Sequence, residues 1–312
     1  MRQKITMTKA TELSVREAYE LFEKKAKVKN LSELTLKTYK YHFKAFCRCV
    51  NEDRRISSIQ ESDVDTFILY LKNDCKIKAV TINSYLRTIR VFLYYCMDAQ
   101  YLKRFKIGMV KAEKKIKETY TADELKLLLK KPDISRCRFS EYRIWVFENY
   151  LLGTGNRISS ALNVRIKDLN FDDGTILIQR TKNRKQQVIP LSATLAGILK
   201  EYLQVRGGEA EDYVFCNDFG EKGNRRTYQQ LVQDYNIKRC VNKTSCHLFR
   251  HTFAKNWILA GGDIFRLQKI LGHYDLEMTK EYLEMFGTDL QMDFEKFNPL
   301  DRMKGNKVLI RM

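Results

Sequence analysis

Between Ser245 and Tyr282 the chain concentrates side chains that can handle a phosphate. Three of its four histidines are here, His247, His251 and His273, with Arg250, a Leu271-Gly272-His273 turn and, nine residues after His273, Tyr282. Positions three apart are neighbours on a helix, so His247 and Arg250 share one helical face, where an imidazole beside a guanidinium can hold a phosphate. Tyr282 can serve as a nucleophile once nearby cations or a hydrogen-bond acceptor activate a phenol whose ordinary pKa is near ~10. Each feature alone is commonplace, since a His-x-x-Arg pair arises by chance and Tyr282 is one of 17 tyrosines. The joint spacing carries the information.

That spacing, H-x-x-R, then L-G-H, then a tyrosine nine residues on, resembles the C-terminal signature of the tyrosine recombinases, the phage-integrase and Xer family. The resemblance demands a further arginine and a lysine upstream. Gly153-Thr154-Gly155-Asn156-Arg157-Ile158-Ser159 is similar to the family's T-G-x-R-I-S motif and puts Arg157 at the first arginine. Thr181 to Leu191, TKNRKQQVIPL, resembles the family's β-hairpin G-K-G-N-K-x-R-x-x-P-L; counting back from Pro190 puts Lys182 at the lysine. All six positions are filled in the family's order: Arg157, Lys182, His247, Arg250, His273, Tyr282.

The resemblance implies a role for each. Arg157 and Arg250 neutralise the non-bridging oxygens of a DNA phosphodiester, a task suited to planar guanidiniums that bind phosphate bidentately and keep their proton. Such preorganised cations contribute about 3–4 kcal/mol each to transition-state stabilisation. Tyr282 attacks and forms a covalent 3′-phosphotyrosine, which conserves the energy of the broken bond; His247 helps accept the phenol's proton, Lys182 protonates the leaving 5′-oxygen, and His273 bonds a phosphate oxygen. No cofactor and no metal is implied. His251 is read as a helix-packing or phosphate-facing residue. There are two departures. Ser160 stands where an acidic residue is usual, so a carboxylate that orients Arg157 is missing or comes from elsewhere, with Asp168 the candidate. Thr181 and Asn183 replace the hairpin's usual glycines.

Helices must position most of these groups. Ser14-x-x-Glu17 is a capping box for a first helix, and Thr35 precedes a segment with Tyr39, Phe43, Phe46 and Val50 at helical spacing. Ser62-x-x-Asp65 opens a third, with Val64, Phe67, Ile68 and Leu71, and a fourth runs from about Thr81 to Met97 with Tyr85, Leu86, Ile89, Phe92, Leu93 and Cys96 inward. This four-helix bundle, residues 11–103 after an extension at 1–10, resembles the family's core-binding domain. Because its first helix already belongs to the bundle, no separate arm-binding domain is expected. Residues 104–118 read as a basic linker. Thr121-x-x-Glu124 caps the first helix of the catalytic domain, 119–287. There Gly174–Gln179 and Gln187–Ile189 read as strands flanking the Lys182–Lys185 turn, Tyr213–Phe215 as a third strand, and Asp263 as the cap of a helix over Ile264–Leu271 after a Gly261-Gly262 stop. Residues 288–312 form a tail in which Leu290, Phe294 and Phe297 make an apolar stripe. By resemblance that tail is exchanged with a neighbouring protomer. The fold expected is mostly α with a small β-sheet (α+β).

Composition narrows the class. The 312 residues are long enough for two cores, and 44% apolar residues with 3 Pro and 14 Gly indicate a globular, helix-rich chain. No apolar run approaches the roughly 20 residues of a membrane span, and the basic N-terminus MRQKITMTKA lacks the apolar stretch of a signal peptide, so a cytoplasmic protein is expected. Eight cysteines without a C-x-x-C pair read as reduced thiols, and Cys240, Cys246 and His247, the nearest approach to ligand spacing, are assigned no metal. A formal net charge of +19, with basic clusters in both halves, points to a polyanionic partner.

These readings converge on a site-specific tyrosine recombinase acting on double-stranded DNA. It is expected to assemble as a tetramer on two DNA sites, with accessory DNA-bending proteins as further partners and no membrane. Integration and excision of a mobile element is the expected role. The alternatives are Xer-like resolution of replicon dimers, a type IB topoisomerase with the same chemistry, or a non-catalytic DNA-binding regulator of the same fold. The six filled positions weigh against the regulator, and the T-G-x-R-I-S and L-G-H spacings against the topoisomerase.

Overall fold

The computed structural model describes residues 13–113, 118–179 and 186–272. The chain divides into two compact units, Met1–Lys115 and Ile116–Met312.

The first unit is built on helices α1 (Val15–Val28), α2 (Glu33–Phe46), α3 (Glu61–Leu69) and α4 (Ala79–Asp98). The Ser14 capping box forms as expected: Ser14 Oγ accepts from the Glu17 N–H at 3.1 Å, and Glu17 Oε2 accepts from the Ser14 N–H at 2.7 Å. Val15, Ala18, Tyr19, Phe22 and Ala26 then line the buried face of α1 at helical spacing. Tyr19 stacks on Phe43 of α2 with centroids 3.8 Å apart, and Phe46 meets Phe67 of α3 edge-on at 5.3 Å. Helix α2 starts earlier than expected, with Ser32 as its cap. Helix α3 opens at Gln60 rather than Ser62. The reason is Asp63, whose carboxylate accepts from the Gln60 N–H at 2.8 Å and also from Arg54 at 2.7 Å, ties the Ser62–Asp65 pair does not have. Past Leu69 the chain makes one π turn, Tyr70–Asp74.

The stretch expected as a linker begins as a strap on this unit. Asn83 in α4 exchanges two hydrogen bonds with the Val110 main chain, at 2.8 and 2.9 Å, and Ile107 is buried.

The second unit contains α5 (Ala122–Leu128), α6 (Phe139–Thr154), α7 (Ile158–Ala161), strands β1 (Leu169–Asn170), β2 (Thr175–Ile178) and β3 (Gln187–Pro190), then α8 (Ala193–Arg206), α9 (Arg225–Lys238), α10 (Cys246–Leu259) and α11 (Ile264–Leu271). Helix α6 is the core: Tyr142 through Glu148, Tyr150 and Leu151 are buried, and α8, α9 and α10 pack against it. The antiparallel sheet runs β1-β2-β3 with Ile176 opposite Ile189, and Ile176, Ile178 and Ile189 point into the core.

The third strand is not where the sequence suggested. Tyr213–Phe215 makes only an isolated bridge, Tyr213 to Arg165, because the partner segment curls into a 3-10 turn at Ile166–Asp168 after two pairings, Val214 N–H to Val164 O and Ile166 N–H to Asp212 O, both 2.9 Å. The sheet's third member is β1 instead. Among the described residues no helix is long and apolar enough to cross a membrane.

Candidate active site

The T-G-x-R segment is the end of α6 and the start of α7. Thr154 Oγ1 donates to the Tyr150 carbonyl at 2.7 Å and accepts from the Asn156 N–H at 3.2 Å, while Asn156 Nδ2 donates to the Tyr150 hydroxyl at 2.9 Å. Between them Gly155 ends α6 in the left-handed region, φ +62°. Any side chain there is excluded twice over, because a Cβ would lie 2.6 Å from Phe253 Cδ1 and 2.8 Å from Leu271 Cδ2. This sharp turn delivers half-buried Arg157 as the residue that opens α7, its carbonyl accepting from the Ser160 and Ala161 N–H groups at 2.8 and 3.0 Å.

Arg250 gathers the motifs. It projects from the second turn of α10 and is only 4% exposed. Its Nη1 donates to the Gly155 carbonyl at 2.9 Å and its Nη2 to the Leu271 carbonyl at 2.8 Å. One guanidinium therefore ties the turn that carries Arg157 to the helix end that leads into the L-G-H sequence. His247 sits on the first turn of α10, exposed, with Ser245 Oγ accepting its N–H at 3.3 Å. The His247 and His251 rings lie 5.9 Å apart.

One neighbouring feature was not read from the sequence. Helix α11 ends at Gly272, again left-handed at φ +61°, and Gln187 of β3 reaches across to cap it: its Nε2 donates to the Lys269 carbonyl and, at 2.9 Å, to the Ile270 carbonyl. The base of the hairpin that contains Lys182 is thereby fastened to the turn that leads into His273. The signal was present, since Gln187 falls at the arginine of the hairpin pattern, but its partners lie 82 and 83 residues away in sequence. Asp168 is the carboxylate that the sequence offered for orienting Arg157, and the bonds it makes are to other residues of this unit. Asp168, 3% exposed, accepts from the Arg165 N–H at 2.9 Å and from Gln179 Nε2 at 2.8 Å. Tyr150 lies close by; burial pushes its phenol well up, the Asp168 charge adds to this, and the Asn156 hydrogen bond opposes it. Ser160 is buried.

The structure thus brings Arg157, Arg250 and His247 to one end of the helical core. Lys182, His273 and Tyr282 lie outside the described residues, as does the tail from residue 288.

A buried arginine held by two main-chain carbonyls ties the segment of a second arginine to the helix that carries an imidazole, residue types suited to binding a phosphate. Comparison with known proteins agrees. Residues 118–287 match the model of the phage integrase family, and residues 19–102 that of the phage integrase N-terminal SAM-like domain. Tyrosine recombinase XerD of Staphylococcus haemolyticus is 26% identical over 282 residues, 87% of this chain and 94% of that protein. Among solved structures, the Tn1549 transposon integrase in complex with transposon right end DNA has a TM-score of 0.71 at 20% identity, covering 86% of this chain and 94% of that one. A lambda integrase tetramer bound to a Holliday junction has a TM-score of 0.69 at 16% identity, covering 89% and 80%. These two likenesses show the fold. The chain belongs to the phage integrase family of tyrosine recombinases. Its activity is site-specific DNA recombination, and the enzyme is a DNA strand transferase.

Proposed function

We propose that this recombinase cuts and rejoins its DNA through Tyr282. The Tyr282 oxygen attacks the scissile phosphorus as the P–O5′ bond breaks, giving a 3′-phosphotyrosine and a 5′-hydroxyl. The phenol's proton passes to His247, and Lys182 supplies the proton that leaves with the 5′-oxygen. Arg157 and Arg250 hold the non-bridging oxygens with His273 beside them. The free 5′-hydroxyl of the partner strand then reverses the attack. The observation that supports this reading best is Arg250, whose bonds to the Gly155 and Leu271 carbonyls gather three of the sequence motifs at one point. The scheme needs no cofactor and no metal.

The division of labour we propose has residues 11–103 grip the DNA, 104–118 link, and 119–287 carry the chemistry, with the 288–312 tail docking on a neighbouring protomer. Four protomers then form a closed ring on two specific double-stranded sites. Integration and excision of a mobile element in the cytoplasm, with accessory DNA-bending proteins, is the role proposed. The likeness to XerD supports a second reading, resolution of replicon dimers.

A suicide substrate that traps the covalent complex tests the chemistry. Tyr282→Phe should bind the site with near-normal affinity and form no SDS-resistant protein–DNA band; such a band from the Phe variant would place the nucleophile elsewhere.

A further inference from the structure

Beside the candidate active site lies a cleft of about 520 Å³ lined by Asn163, Arg165, Lys167, Gln179, Tyr213 and Lys222. Three of these are cations. Arg165 and Lys222 both approach the Tyr213 ring, each 5.4 Å from its centroid. A single exposed carboxylate, Glu211, bridges the cleft's other sides, accepting from Arg165 and, at 2.5 Å, from Lys167. Lys222 donates to Asn163 Oδ1, a neutral partner. Asp168 lies behind Gln179, with its oxygens taken by Gln179 and the Arg165 N–H. Cations therefore outnumber the carboxylate they touch.

The cleft is coupled to the site through its walls. Asn163 Nδ2 donates to the Ser159 carbonyl at 2.6 Å, within the short helix that Arg157 opens. On the other side Gln179 Oε1 accepts from Gln186 at 3.1 Å, and these two residues flank the 180–185 segment that contains Lys182. Lys222 is held by an isolated bridge to Cys216 and by a tight loop in which Asn217 Oδ1 accepts from the Phe219 and Glu221 N–H groups at 2.9 Å.

We infer that this cleft binds a second backbone phosphate of the DNA, distinct from the one cleaved, and that Glu211 occupies the place of its oxygens until DNA arrives. A carboxylate bridging an arginine and a lysine is the protein's own analogue of a phosphate, and two cations on one aromatic ring repel each other until an anion joins them. The cleft reads no sequence information from the strand; it fixes the strand's register relative to Arg157. The inference rests on the proposed reading that this unit holds the DNA backbone at Arg157.

The test is equilibrium binding of a half-site duplex to the full chain across a salt series, with single methylphosphonates placed in turn along the cleaved strand. The wild type should lose affinity at the cleaved position and at several others, a second position among them belonging to the cleft. Arg165→Gln with Lys222→Gln should lower the salt slope by about 0.9 for each phosphate the protein no longer neutralises, and should be indifferent to the methylphosphonate at that second position alone. Glu211→Gln, which preserves shape, should bind about two- to fivefold more tightly, as removal of an exposed competing ion pair implies. An unchanged sensitivity profile in the double variant overturns the inference. Should thermal melting show that variant to be unfolded, unchanged affinity in Glu211→Gln overturns it instead. If the wild type is indifferent at the cleaved position too, the reading on which the inference rests has failed.

Discussion

Replacing Gly155 by alanine asks how tightly the T-G-x-R turn is held. The cost has two parts. A non-glycine residue at φ +62° costs about 1–2 kcal/mol through crowding of its Cβ. The second part is collision with Phe253 and Leu271, at 2.6 and 2.8 Å. Phe253 is half-buried and can swing aside, whereas Leu271 is 2% exposed and packs with Ala254 and Leu267, so relief requires repacking worth about 1–2 kcal/mol. The sum, about 2–4 kcal/mol, lowers the melting temperature of a unit this size by roughly 4–16 °C. Gly174→Ala supplies the control. Gly174 has φ +59°, but its Cβ would meet only the Leu191 carbonyl at 3.5 Å, an ordinary contact, so this variant should bear the conformational part alone. Calorimetry of the two variants isolates the packing part, and cleavage of a suicide substrate should fall further in Gly155→Ala, because the displaced Gly155 carbonyl is one of the two that hold Arg250. Equal melting shifts in the two variants would refute the argument that Leu271 and Phe253 close on this turn.

Three further expectations follow from named residues. Lys182→Ala should be slow on ordinary DNA and largely restored when sulfur replaces the leaving 5′-oxygen, since a thiolate departs with little protonation; equal defects on both substrates would make Lys182 a phosphate ligand instead. Gln187→Ala removes two bonds to the end of α11, each worth about 0.5–1.5 kcal/mol, and should slow cleavage about tenfold with little change in binding; unchanged cleavage would mean that the hairpin keeps its place without this tie. Glu148 is fully buried, neither oxygen has a hydrogen-bond partner among the described residues, and burial raises its carboxyl well above the ordinary range, against the pull of Arg239. With the folded value above the unfolded one, the unfolded state loses its proton first, so Glu148 erodes stability as pH rises from about 4.5 towards the folded value. Glu148→Gln should therefore melt several degrees higher than wild type at pH 8 and equally at pH 4; no difference at pH 8 would contradict this.

What the sequence revealed follows from the range of the interactions. The boxes at Ser14 and Thr121 and the cap at Asp263 were legible because a cap and its partner lie two or three residues apart. Helix α3 misled because a distant group, Arg54, favoured Asp63 as the capping acid over Asp65. The strand at Tyr213–Phe215 was overestimated for a similar reason: its β-branched and aromatic composition is real, but strand length depends on a partner that turns away at Ile166. Arg157, His247 and Arg250 were legible as residue types at set spacings. That Gln187 would fasten β3 to the end of α11 was not, because nothing local to a glutamine announces a helix end more than 80 residues away.

Arg250 shows why spacing alone understates the site. A charge buried to 4% exposure is tolerated only where polar partners replace water, and the Gly155 and Leu271 carbonyls provide part of that replacement. Carbonyl dipoles orient a guanidinium without neutralising it, as a carboxylate would, so these two bonds position Arg250 at no cost in charge, which suits the phosphate-binding role proposed for it. The same bonds make Arg250 a keystone between α6, α10 and α11. Its removal would damage fold and catalysis together, and activity loss in Arg250→Ala alone could not apportion the two. Substitutions at Gly155 and Gln187 escape that ambiguity: they alter the support of the site and leave every proposed catalytic group in the chain, so a cleavage defect larger than the stability defect in either one measures preorganisation directly.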